Sequence, residues 1–115
     1  MRIRPVNKFI NFISGIFYGK INGISLCPFG IYFNGVPDDI LLNHEKIHWR
    51  QQVEMLILPF YVWYLIEFLI RRIFQSKTMA YRSVSFEREA YAKQHDRMYL
   101  KNRRPFLWIN YVVKP

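Results

Sequence analysis

With 115 residues, 51% of them hydrophobic and 18% aromatic, the chain is sized for one domain, residues 1–115, with a real core. A lone cysteine, Cys27, excludes an intrachain disulfide and a Cys-x-x-Cys zinc knuckle. The net charge of +9 is lopsided: residues 1–70 hold six Lys/Arg against five Asp/Glu, residues 71–115 eleven against three, and a basic half attracts polyanions or the anionic face of a membrane.

The N-terminal "MRIRPVNKFINFISGIF" has neither an unbroken apolar core nor a small-residue cleavage site, so it is not read as a signal peptide and a cytoplasmic protein is expected. Phe9, Ile10, Phe12, Ile13, Ile16 and Phe17 recur at helical intervals and predict a helix over 6–18. The Gly-, Pro- and Asn-rich stretch that follows contains two β-friendly runs, Ile24 to Cys27 and Ile31 to Phe33, predicted to pair across "PFG". "VPDD" reads as a helix start capped by Asp38 or Asp39, and the helix is predicted over 39–57 because Pro59 disfavours helical geometry at Leu58.

A second helix is predicted from near Pro59. From Met55 to Ile66 it carries no charge; Glu67 then interrupts and is placed to pair with Arg71 one turn on. Shorter than the roughly 20 apolar residues of a membrane span, it is read first as a central core helix. The second reading lays residues 55–72 along an anionic membrane surface, with Tyr61, Trp63 and Tyr64 as interface aromatics. After a polar link, "QSKTMAYRSVS", a third long helix is predicted over 86–104, capped by Ser83 or Ser85 and ending before Pro105.

The chemistry is concentrated in "LLNHEKIHWRQQ", residues 41–52. Residues four apart lie one above the other on a helix, so His44 and His48 present two imidazoles to one ion. Glu45 flanks that face, where it reaches a metal-bound water rather than the metal. This division of labour serves metal-assisted hydrolysis: the metal lowers the pKa of the water and the glutamate takes its proton. Asn43, Gln51 and Gln52 flank the motif as candidates to bond the ligands. Catalytic zinc needs a further protein ligand. His95 is the remaining histidine, and two glutamates, Glu87 and Glu89, open the third helix.

In "FEREAYA", residues 86–92, the chain resembles the gluzincin metallopeptidases, whose third ligand is a glutamate on a later helix in a Glu-x-x-Ala-like context. Glu87-Arg88-Glu89-Ala90 matches that context, and so does Glu89-Ala90-Tyr91-Ala92. Glu87 is preferred, because its face carries Ala90, Tyr91, Gln94 and Met98, whereas Glu89 shares a face with Lys93 and Asp96 that looks solvated. With its "NHE-x-x-H" and "FE-x-EAY" pair, the chain also resembles short bacterial zincin-like proteins.

The resemblance covers roughly residues 38–100 and implies a mainly α (α+β) fold. This would be a minimal zincin-like domain with a short N-terminal β element, an active-site helix, a hydrophobic backing helix and a glutamate-bearing helix. It further implies Zn2+ as cofactor, a peptide or protein substrate laid along an edge strand from residues 24–34, and peptide-bond hydrolysis. Two departures stand out: the acidic residue usual four after the ligand glutamate is here Tyr91, and the separate domain that usually supplies transition-state donors is not expected among these 115 residues. Tyr81, Tyr91 and His95 are the candidates for that role. The alternative is a non-catalytic zincin-derived metal-binding or membrane-surface module. Arg71-Arg72 and Arg103-Arg104 invite phosphates, but no nucleic-acid-binding motif accompanies them and nucleic acid is not an expected partner.

Overall fold

The computed structural model describes residues 3–5, 7, 8, 10 and 22–112. Apart from Asn7, Lys8 and Ile10, the helix predicted over 6–18 lies outside the described residues. The rest is a mainly helical fold with a short three-stranded mixed sheet.

Strands β1 (Ile3–Pro5), β2 (Gly23–Leu26) and β3 (Gly30–Phe33) are ordered β1-β3-β2, with β1 parallel and β2 antiparallel to the central β3. The hairpin across "PFG" is the expected one, with β2 lying one residue earlier than predicted and β3 beginning one residue earlier. β1 was not predicted: a three-residue strand gives no periodicity, and a parallel partner is set by a long crossover rather than by a local turn. All of β3 is buried. Tyr32 packs with Ile10, Ile24 and Leu26, while Ile31 and Phe33 fill the interior at 0% and 2% exposure.

Helix α1 (Asp39–Glu54) begins as expected: Asp38 caps it, its side chain accepting from the Leu41 N–H at 2.7 Å. It ends three residues earlier than predicted. The chain turns through Leu56 (φ 59°) and Ile57 (φ 71°), and the Ile57 N–H returns to the Gln52 carbonyl at 2.7 Å. Left-handed backbone at two branched residues is strained by about 1–3 kcal/mol each. The turn redirects the chain by 114° into α2 (Leu58–Phe74), where Pro59 occupies the first turn that tolerates it.

The predicted polar link contains a helix, α3 (Lys77–Ser83), capped by Ser76; seven residues are too few to show an apolar period. The predicted helix over 86–104 is broken into α4 (Ser85–Lys93) and α5 (Tyr99–Asn102), and a 3-10 turn (Leu107–Tyr111) follows in the apolar tail. Asn43 of α1 causes the break. Its amide nitrogen donates to the carbonyls of Gln94 (2.8 Å) and Asp96 (3.0 Å), groups that a continuing helix would have used internally.

Glu67 does more than the expected i,i+4 pair, whose Arg71 contact is 3.4 Å. Its carboxylate accepts the Ser85 N–H and Oγ–H, both at 2.7 Å, so that α2 caps the start of α4 and the predicted cap Ser85 is itself held. An aromatic cluster of Phe60, Phe68, Phe86 and Trp108, closed by Ala80 and Val84, joins α2, α3 and α4. Ile47, Ala90 and Tyr99 tie α1 to α4 and α5.

Candidate metal centre

Six of the seven residues that α1 buries are polar: Asn43, His44, Glu45, His48, Gln51 and Gln52. Burying polar groups costs free energy unless each finds a partner, so the partners define the site. Gln52 acts as a piece of strand: its Oε1 accepts the Cys27 N–H at 2.9 Å and its Nε2 donates to the Ser25 carbonyl at 2.8 Å. These bonds, with Ser25 Oγ–H donating to the Glu45 carbonyl at 2.6 Å, clamp β2 to α1. Gly23 allows the closest approach. A Cβ there would lie 3.0 Å from the Phe33 ring and 3.3 Å from Cγ of Glu45.

Gln51 determines the state of His48. Its Nε2 donates to the Phe86 carbonyl (3.1 Å) and to the Glu89 carboxylate (2.9 Å), two pure acceptors that fix the amide orientation. Its Oε1 therefore faces His48 Nδ1 at 2.8 Å and must accept from an N–H there. His44 Nδ1 stands likewise 2.8 Å from Gln94 Oε1. With both Nδ1 atoms donating, both Nε2 atoms present lone pairs.

Those lone pairs converge. His48 Nε2 to His44 Nε2 is 3.2 Å, His44 Nε2 to Glu87 Oε1 is 3.2 Å, and His48 Nε2 to Glu87 Oε1 is 3.0 Å. Three acceptors this close, all buried, demand a positive charge between them. Ligands tetrahedrally disposed about 2 Å from a zinc ion stand about 3.3 Å apart, and the observed triangle matches. The donor set therefore fits a metal ion. Tyr64 Oη–H donates to the other oxygen of Glu87 at 2.9 Å, fixing the carboxylate from α2.

Without a cation, a proton fills the gap. Burial opposes the charge on His48, but Glu87 and Glu45 outweigh it and push His48 up to about 9. Burial likewise works to raise Glu87, yet His48 and His44 hold it well below the usual carboxylate range. To offer its lone pair, His48 must release its proton. Metal affinity should accordingly fall about tenfold for each pH unit below 9, one proton being displaced, and flatten above it. Isothermal titration at several pH values checks this, and a pH-independent affinity over 6.5–9 would count against the arrangement. The metal-free chain has the opposite dependence. The elevated pKa contributes stability that is full below the ordinary histidine value of about 6.5 and is lost as pH rises through 9.

Comparison of the chain with family models, with curated proteins and with solved structures finds no match. The site rests on its own geometry.

Glu45 completes it. The residue is 4% exposed, and its Oε1 has no hydrogen-bond partner among the described residues. Burial raises its pKa, with His48 and His44 partly offsetting the rise. It borders two cavities. One, of about 270 Å³, is walled largely by apolar groups, among them Ile24, Leu26, Phe60, Tyr61 and Leu65, and is also lined by His48 and Glu87. The other, about 310 Å³, is more polar and is lined by His44, Tyr81, Arg82, Tyr91 and Gln94 among others.

The remaining candidates are sorted by the fold. Tyr81 borders both cavities and Tyr91 the polar one. Their hydroxyls lie 3.2 Å apart, and the Tyr91 ring stands edge-on to His44. His95 is exposed and lines neither cavity. Glu89 does not join the histidines, and its expected solvated face is corrected. It is 0% exposed, bonded to Gln51, to Tyr99 Oη at 2.6 Å and to Arg103, whose guanidinium also forks onto Glu54 at 2.8 and 2.9 Å. Of the flanking amides, Gln51 touches a histidine, whereas Asn43 and Gln52 hold backbone. Sequence reasoning missed Gln94 and Tyr64. For Gln94 a signal existed, since it lies on the helical face of Glu87; for Tyr64, on a separate helix, there was none.

Proposed function

We propose that the chain is a zinc-dependent peptidase of the gluzincin type, with His44, His48 and Glu87 as ligands and Glu45 as general base. The observation that carries this reading is the convergence of three buried acceptors beside a buried carboxylate whose Oε1 has no hydrogen-bond partner among the described residues. Zinc, when bound, lowers the pKa of water and polarises a carbonyl. The rest is the work of the chain's own residues. Gln94 and Gln51 hold the imidazoles in the tautomer that ligates, and Tyr64 fixes Glu87. Glu45, kept basic by burial, takes a proton and passes it to the leaving amine. Tyr81 and Tyr91, on the walls of the cavities, are the candidate donors to developing oxygen charge. Further along the outer strand β2 the edge is already taken, by Gln52 at Ser25 and Cys27 and by Tyr61 Oη at Cys27, so its Gly23 end, which adjoins both cavities, is where an extended peptide would approach.

Metal content of the untagged protein, measured by mass spectrometry beside His44→Ala and Glu87→Ala, tests the reading. About one zinc per native chain is expected, lost in both variants, together with zinc-dependent cleavage of a fluorogenic peptide library. No zinc after reconstitution would return the histidines to a structural role. Zinc without cleavage of any library member would favour the binding module.

A further inference from the structure

Helix α2 is built inside out. A surface helix of a water-soluble fold turns its apolar stripe inward and its charges outward. Here Glu67 and Arg71 face the protein, the first bonding Ser85 of α4 and the second the Val112 carbonyl at 2.9 Å. Only Phe60 and Phe68 of this helix are fully buried, which corrects the reading of a central core helix. The outward arc carries Leu58, Val62, Ile66, Leu69 and Ile73, at 51–76% exposure. These positions succeed one another at intervals of three and four and so form one continuous stripe. Phe74 at 81% and Leu56 at 80% extend it beyond either end. The charged residue on this face is Arg72. Apolar patches of such extent mark a surface meant to be covered.

We propose that this face seats on an anionic lipid bilayer, with α2 lying along the interface. Length argues for lying rather than spanning: 17 residues give about 26 Å of helix against about 30 Å of hydrocarbon. Among the described residues no single helix is long and apolar enough to cross a membrane, and α1 and α2 meet at 114°. Charge argues for the occupant. The apolar stripe runs into residues 71–115; Arg71 and Arg103 of this segment are engaged within the protein, but Arg72, Arg82, Arg97, Lys101 and Arg104 are exposed, whereas of its three acids only Asp96 is. That excess is drawn to anionic headgroups and would oppose a second chain of +9 on the same face. Trp63, 44% exposed with its indole N–H on Glu67, is an amphipathic ring of the sort interfaces favour. Leu65 belongs both to this face and to the wall of the apolar cavity, so a seated chain holds that cavity at the lipid surface. The docking itself does not depend on the peptidase reading.

The test is flotation of the full chain with phosphatidylcholine vesicles, with and without phosphatidylglycerol, at low and high salt. The native chain should float with the anionic vesicles, less so at high salt. Ile66→Glu with Ile73→Glu, both at exposed positions, should lower that partition about a hundredfold while circular dichroism stays unchanged. Failure of the native chain to float with either vesicle would overturn the proposal. So would flotation of the double variant equal to that of the native chain. A native dimer that the double variant dissociates, with no vesicle binding, would assign the face to self-association instead.

Discussion

Glu45→Gln should leave zinc bound and reduce peptide hydrolysis by about 10²–10⁴-fold in kcat, the usual contribution of a positioned general base. The substitution is nearly isosteric, so the close approach of Gly23 to the side chain is kept. What changes is that an amide cannot take a proton. KM should move little, because the lost interaction belongs to the transition state rather than to binding. The pH profile offers a second readout. Burial raises Glu45 above the ordinary carboxylate value, so the acid limb of the proposed activity should lie above that value and vanish from any residual activity of the variant. A variant that retains hydrolysis within a few-fold, zinc content being equal, would remove Glu45 from the chemistry.

The second large effect concerns stability and lies outside the metal centre. Arg103→Ala strands two carboxylates. Glu89, 0% exposed, and Glu54 lose the guanidinium that neutralises both. Breaking a buried ion pair from one side costs about 3–5 kcal/mol, which for a chain of this size lowers the melting temperature by about 10–20 °C. Arg103→Lys should recover less than half of this, since an ammonium cannot fork onto two carboxylates. Denaturant unfolding measures it, and a cost under about 1 kcal/mol would mean that water reaches Glu89 and screens the network.

How much of this was legible beforehand follows from the reach of each signal. The Asp38 cap and the i,i+4 histidines are local patterns, as is the Glu-x-x-Ala context that the resemblance attached to Glu87, and together they located the candidate metal group on its two helices. What escaped notice crosses the chain. A helical wheel assigns Glu89 to solvent because it cannot know that Arg103 returns from ten residues past the end of α4. Nothing local in "QHDRM" stops a helix, because the stop is the Asn43 amide half a chain away. The apolar run of α2 was plain in the sequence. Its direction was not, since hydropathy gives the stripe but says nothing of which side the protein covers.

The Gln51 amide has a consequence beyond its bonds. One acceptor on His48 and two donors, to Phe86 and Glu89, are required at a single side-chain length. Glutamate lacks the donors, lysine and arginine lack the acceptor, and asparagine is one methylene short. Of the genetically encoded side chains, one meets the specification. Position 51 should therefore tolerate replacement as little as the histidines do, although its side chain lines neither cavity.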